Sequence, residues 1–210
     1  GSYGLQVTIN DTNAAMLVDE SPADETHYRV RFYFDPNSLT MPDETHFIFY
    51  AYQDSSLSAA RIEFQRLNGE YRLSARTLLD NGTTWSATGY YAITDAPHYL
   101  ELEWQAATSA GANDGLLKFW IDGTLRSSLT GLDNDTRRVN RARLGAGFGI
   151  DAGTSGSYYF DAFESRRSTY IGGMARREAG KAGLGRLAGG LLQRGRNDLL
   201  KLPAVGIKRA

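Results

Sequence analysis

His27-Tyr28-Arg29-Val30-Arg31-Phe32-Tyr33-Phe34-Asp35 alternates without a break: Tyr28, Val30, Phe32 and Phe34 point one way, Arg29, Arg31, Tyr33 and Asp35 the other. A period of two is what a strand with one buried and one wet face requires. The pattern recurs at His46–Gln53, where Phe47, Phe49 and Ala51 stand against His46, Ile48, Tyr50 and Tyr52. It continues through Ala60–Leu67, Glu70–Leu79, His98–Gln105, Gly115–Asp122, Thr124–Thr130, Arg141–Gly149 and Ser157–Ser165, with Leu5–Ile9 and Ala14–Val18 as shorter candidates. Asn68-Gly69, Asn81-Gly82, Asp114-Gly115 and Asp122-Gly123 supply the positive φ angles that tight hairpins demand. Pro22, Pro36, Pro42 and Pro97 fall between the runs, where a missing amide donor does no harm. About eleven strands with no long amphipathic helix between them predict an all-β fold of two packed antiparallel sheets.

Composition supports that reading. The chain has 210 residues, 41% of them hydrophobic and 22% charged, enough to bury a core. No apolar stretch approaches the roughly 18 residues that a membrane-spanning helix needs. Cysteine is absent, which excludes disulfides, thiolate metal sites and thiol nucleophiles. The net charge of −1 hides a division. Residues 1–173 carry 14 Lys and Arg against 22 Asp and Glu, a net of −8, whereas residues 174–210 carry 9 against 2, a net of +7.

Several segments together resemble the concanavalin A-like superfamily, with its laminin-G-like and pentraxin-like jelly rolls. They are His98-Tyr99-Leu100-Glu101-Leu102-Glu103-Trp104, Asn113-Asp114-Gly115, and Leu117-Lys118-Phe119-Trp120-Ile121-Asp122-Gly123. Tyr28 to Pro36 fits an early core strand and Tyr158 to Ser165 the closing one. The resemblance covers residues 1–172 and implies a two-sheet antiparallel jelly-roll sandwich, followed by a basic Gly/Leu-rich tail over 173–210. It also implies a secreted or cell-surface location. Such domains open with a strand upstream of the segment matching Gly1–Leu5, so one sheet edge is expected to lack its usual neighbour. The superfamily hosts lectins, adhesion domains, glucanases and structural proteins, so fold alone does not decide function.

Glycoside hydrolysis needs two carboxyls flanking the scissile bond. Glu101 and Glu103 share one strand face, but the superfamily's glucanases carry a Glu-x-Asp-x-Glu run, and Glu101-Leu102-Glu103-Trp104-Gln105 lacks its central Asp and closing acid. Ion pairing across the sheet, with Arg61, Arg72 or Arg76, is the expected use of such acids. His27, His46 and His98 each open a strand and read as exposed; none belongs to a nucleophile motif. Gly145-Ala146-Gly147-Phe148-Gly149 sits in a strand pattern, not in a phosphate loop. The resemblance implies a structural calcium at the closing-strand acid, here Asp161, where alternation predicts a buried carboxylate; a paired core-edge carboxylate is the other reading. Asp133-Asn134-Asp135 reads as a solvated turn.

Sugar recognition uses aromatic platforms with polar rims. The candidates are Trp120, Tyr50, Tyr52, Trp85 and Tyr90, the last two in the loop-like stretch Asn81 to Tyr91. The reading that follows is a non-catalytic extracellular module binding a glycan or matrix polymer through these aromatics. The alternative is a self-assembling structural subunit that uses residues 174–210 and an open sheet edge. An enzyme comes third, so the expectation is that the chain is not one. Nucleic acid is disfavoured, because residues 174–210 contain no aromatic to stack on bases.

Overall fold

A computed structural model describes residues 4–54 and 57–172. The expectations for residues 173–210 lie outside the described residues. Two antiparallel sheets face each other, as the alternation requires. The six-stranded sheet runs β1 (Leu5–Ile9), β13 (Gly156–Arg166), β3 (His27–Asp35), β9 (His98–Gln105), β10 (Gly115–Ile121) and β11 (Thr124–Leu132). The seven-stranded sheet runs β2 (Ala15–Asp19), β12 (Arg141–Ala146), β4 (Glu44–Asp54), β5 (Leu57–Leu67), β6 (Glu70–Leu78) and β7 (Trp85–Ala87), and β8 (Tyr91–Ile93) also pairs with β6.

The core is the set of inward residues that alternation picked out. Tyr28, Val30, Phe32 and Phe34 from β3 meet Phe49, Ala51, Ile62, Phe64, Leu73 and Ala75 from the other sheet. Phe34 lies 5.0 Å from Phe64 in an edge-to-face pair, a favoured aromatic geometry. Trp104 is fully buried, and its indole N–H donates to Thr77 Oγ1 at 3.0 Å, satisfying a polar group that burial would otherwise penalise.

Three expectations change. β7 and β8, at three residues each, fall where the sequence reads as loop, because so short a run carries no period. A register irregularity between Phe47 and Phe49 breaks the alternation of β4. Phe49 and Ala51 therefore face the core while Tyr50 and Tyr52 face out, and His46 turns inward. His46 is 0% exposed, its ring stacked on Tyr158 at 5.9 Å, so it is a core residue and not an exposed strand start. A second irregularity, between Asp161 and Glu164 of β13, puts Ala162 at a φ of 50° and leaves Asp161 exposed instead of buried.

Candidate functional site

The outer face of the seven-stranded sheet collects the chain's unusual chemistry. Because Phe49, Ala51, Ile62, Phe64, Leu73 and Ala75 face the core, their neighbours Tyr50, Tyr52, Arg61, Glu63, Ser74 and Arg76 face away from it. The register lines up one row across four strands: Arg143 is opposite Tyr50, Tyr50 opposite Arg61, and Arg61 opposite Arg76.

At one end of the row Glu63, 2% exposed, binds three partners. Arg61 Nη2 is 2.7 Å from Oε1, Arg76 Nε is 2.9 Å from Oε2, and the Tyr90 hydroxyl donates to Oε2 at 2.6 Å. Arg61 is sandwiched between ring faces, 3.9 Å from the Trp85 centroid and 4.2 Å from that of Phe47. Burial raises the Tyr90 pKa, and its hydrogen bond to the Glu63 carboxylate raises it further.

The other end is different. The Arg143 guanidinium carbon lies 4.8 Å from the Tyr52 ring centre and 5.9 Å from that of Tyr50, and the two rings stack at 4.8 Å. Among the described residues no carboxylate pairs with Arg143. A half-buried guanidinium with no carboxylate partner among the described residues, set beside two buried tyrosine rings, suits a carboxylate or sulfate. Burial raises the Tyr50 pKa, with Arg143 opposing, so its phenol stays protonated at neutral pH. Beyond Tyr52 the face opens into a depression of about 630 Å³ lined by Glu20, Gln53, Asp54, Asn140 and Arg141.

Four of the five expected ligand-binding residues, Tyr50, Tyr52, Trp85 and Tyr90, thus belong to this one region of the seven-stranded sheet. Trp120 does not join them. It sits on the six-stranded sheet, 5.9 Å from the Tyr170 ring and 5.2 Å from the Arg29 guanidinium carbon. Arg143 and Glu63 were not singled out from sequence, because a single charge in a strand acquires meaning only when its register is known.

The remaining candidates resolve as structural groups. Glu101 and Glu103 are paired as expected, but with Arg29 at 2.8 and 2.5 Å, not with Arg61, Arg72 or Arg76. Glu103 also meets His27 at 3.0 Å, while Glu101 accepts the backbone N–H groups of Ile171 and Gly172. The third histidine, His98, is paired with Asp122. Asp161 Oδ1 accepts the Ala162 amide, an exposed single carboxylate that does not fit a calcium ion's need for several oxygens. Among the described residues the acids close enough to share a cation are Asp80, Asp133 and Asp135. There Asp80 Oδ1 already accepts from the Thr136 amide and hydroxyl, with Arg137 3.5 Å away.

No family model matches the chain, and no curated protein does. Solved structures do. A double mutant of an alginate lyase in complex with alginate trisaccharide superposes with a TM-score of 0.58 at 15% identity, covering 79% of this chain and 82% of that one. An alginate lyase without the mutations gives 0.55 at 12% identity, covering 80% and 82%. The native heptameric SAP-like pentraxin from Limulus polyphemus gives 0.51 at 10% identity, covering 78% and 77%. The chain therefore has a jelly-roll-like β-sandwich fold shared with alginate lyases and a pentraxin. The expectation of a non-catalytic recognition module, with a self-assembling subunit as its alternative and no enzyme activity, is overturned here: the recurring neighbours are lyases that act on a polysaccharide. Among the described residues no helix is long and apolar enough to cross a membrane.

Proposed function

We propose that the protein is a secreted enzyme that cleaves an acidic polysaccharide by β-elimination on the outer face of its seven-stranded sheet. The observation that carries this reading is Arg143, a guanidinium beside the stacked Tyr50 and Tyr52 rings with no carboxylate partner among the described residues. The shared fold of the alginate lyases supports it, as does the fit of the pentraxin to the wider concanavalin A-like group.

The chemistry follows from the charges. A uronate sugar is cleaved when a base removes the proton on the carbon bearing the carboxylate. The electron pair forms a C=C bond, and the C–O bond to the neighbouring sugar breaks. Negative charge builds on the carboxylate as the proton leaves, so an adjacent guanidinium lowers the barrier. Arg143 supplies that cation. Tyr50, kept protonated by burial, gives its proton to the departing oxygen. The acceptor of the carbon's proton is a carboxylate, Asp54, which lines the depression beyond Tyr52.

The test is product analysis on a panel of uronate-containing polymers. Elimination yields a new non-reducing end with a conjugated C=C bond and a rise in ultraviolet absorbance. Chain cleavage without that bond would mean hydrolysis and would refute the assignment.

A further inference from the structure

The row Arg143–Tyr50–Arg61–Arg76 holds a second positive centre besides Arg143. Among the described residues Arg61 and Arg76 find one carboxylate between them, Glu63, so two guanidiniums against one acid leave one net positive charge. Its outward part is Arg76, whose side chain is 29% exposed against 16% for Arg61, which Trp85 and Phe47 clamp. The register counts three steps from Arg143 to Arg76, by way of Tyr50 and Arg61. At about 4.8 Å per strand the two centres stand about 14 Å apart. Aromatic rings line the interval: Tyr50 lies 6.5 Å from Phe47, and Phe47 and Trp85 hold Arg61 between their faces.

A linear polysaccharide joined through opposite ring carbons advances by about one strand spacing per sugar, so three steps of the row match three steps of the polymer. Its direction follows from the chemistry. Tyr50 protonates the departing oxygen, so the sugar that leaves lies on the Tyr50 side of Arg143, and the chain continues over Arg61 to Arg76. We infer that Arg76 is a specificity-determining residue, which receives an acidic group three sugars toward the non-reducing end from the one held by Arg143. The shortest chain that engages both cations is then a tetrasaccharide acidic at both ends. The rings suit the apolar faces of the two inner sugars, whose own charge the span leaves open. An anion at Arg76 offsets a charge that the protein leaves unbalanced. Arg76 stands far from the bond that breaks, so its contribution falls mainly on KM. This inference rests on the elimination reading for the identity of the site, and adds to it the length of the site and the residue at its far end.

The experiment gives the full chain oligomannuronates of two to six sugars. Elimination is followed by chromatography with mass detection, and binding separately by quenching of tryptophan fluorescence. The expected result is at least tenfold higher kcat/KM for the tetrasaccharide than for the trisaccharide. The tetrasaccharide should be cut between its third and fourth sugars, counted from the non-reducing end. Arg76→Gln, which leaves the Arg61–Glu63 pair intact but neutralises the second centre, should bring the ratio near unity, and Arg76→Lys should keep most of it. No step between three and four sugars, or a step that Arg76→Gln keeps, would overturn the role of Arg76 while leaving the lyase standing. A step in affinity that Arg76→Gln removes, with no elimination of any oligomer, would sustain the span and overturn the lyase. Binding of no oligomer would overturn the span.

Discussion

Glu63 holds two guanidiniums and a phenol while itself almost wholly buried. Removing one member of such a buried set leaves the others unpaired, so Glu63→Ala is expected to cost about 3–5 kcal/mol in urea unfolding. Glu63→Gln, which still accepts the Tyr90 hydrogen, should cost clearly less. Spectrophotometric titration of the tyrosines gives a second readout. Because the Glu63 carboxylate helps raise the Tyr90 pKa, Glu63→Gln should move one tyrosine transition to lower pH. Trp120 provides the contrast. It packs under Tyr170 and beside Arg29 on the other sheet, so Trp120→Ala should lower stability yet leave polysaccharide affinity and turnover unchanged. A loss of affinity instead would restore Trp120 to the site. At this scale the aromatic members of the site were legible, since Tyr and Trp suit sugar faces wherever they occur. The charged members were not: Arg143 owes its meaning to the residues opposite and around it, which sequence spacing does not reveal.

Elements show where alternation works and where it stops. β3, β6 and β9 keep an unbroken period of two, and the inward face of β3 is legible in the sequence, whereas in β5 a shift against β4 puts both Ala59 and Ala60 in the core. β4 has an extra residue near Phe47, and that shift sends His46 into the core beside Glu44. Glu44 then anchors a neighbouring loop: it accepts the Asp151 amide and the Thr154 hydroxyl, both at 2.5 Å. Burial alone would raise its pKa, but the bonds from His46, Thr154 and Asp151 outweigh it and hold the carboxyl below its usual range. A depressed folded-state pKa stabilises the fold above the unfolded value, and that contribution is lost as pH falls through the folded value. Protection of the Asp151 and Thr154 amides, measured against the intrinsic exchange rate at each pH, should therefore fall on acidification below the ordinary glutamate range, and Glu44→Gln should weaken that pH dependence. The same loop contains Gly149, at a φ of 100°, where an added Cβ would lie 2.6 Å from the Thr45 carbonyl. Gly149→Ala is expected to destabilise by roughly 1–3 kcal/mol in thermal or urea unfolding.

At the scale of the whole molecule the two outer faces are used differently. On the six-stranded sheet Arg29, Arg31, Glu101, Glu103 and Glu164 are tied into ion pairs, and residues 167–172 cross that face to bond Glu101. On the seven-stranded sheet the row from Arg143 to Arg76 ends beside an open depression, and its charges are not balanced. Both sheets and the core formed between them lie within residues 4–172, so a chain ending at Gly172 should still unfold cooperatively. A non-cooperative transition would contradict that. The sandwich was legible because burial imposes a simple period on each strand. The choice of working face was not, since both faces are rich in Arg, Glu and aromatic residues, and only the pairing of those charges tells them apart. The central claim is that Arg143 neutralises a substrate carboxylate during elimination. Its most direct test is the initial rate of unsaturated-product formation by the wild type and Arg143→Ala on the same acidic polymer. The account predicts a loss of about a hundredfold or more in kcat, with unfolding midpoints that differ little. Equal rates for the two proteins would contradict it.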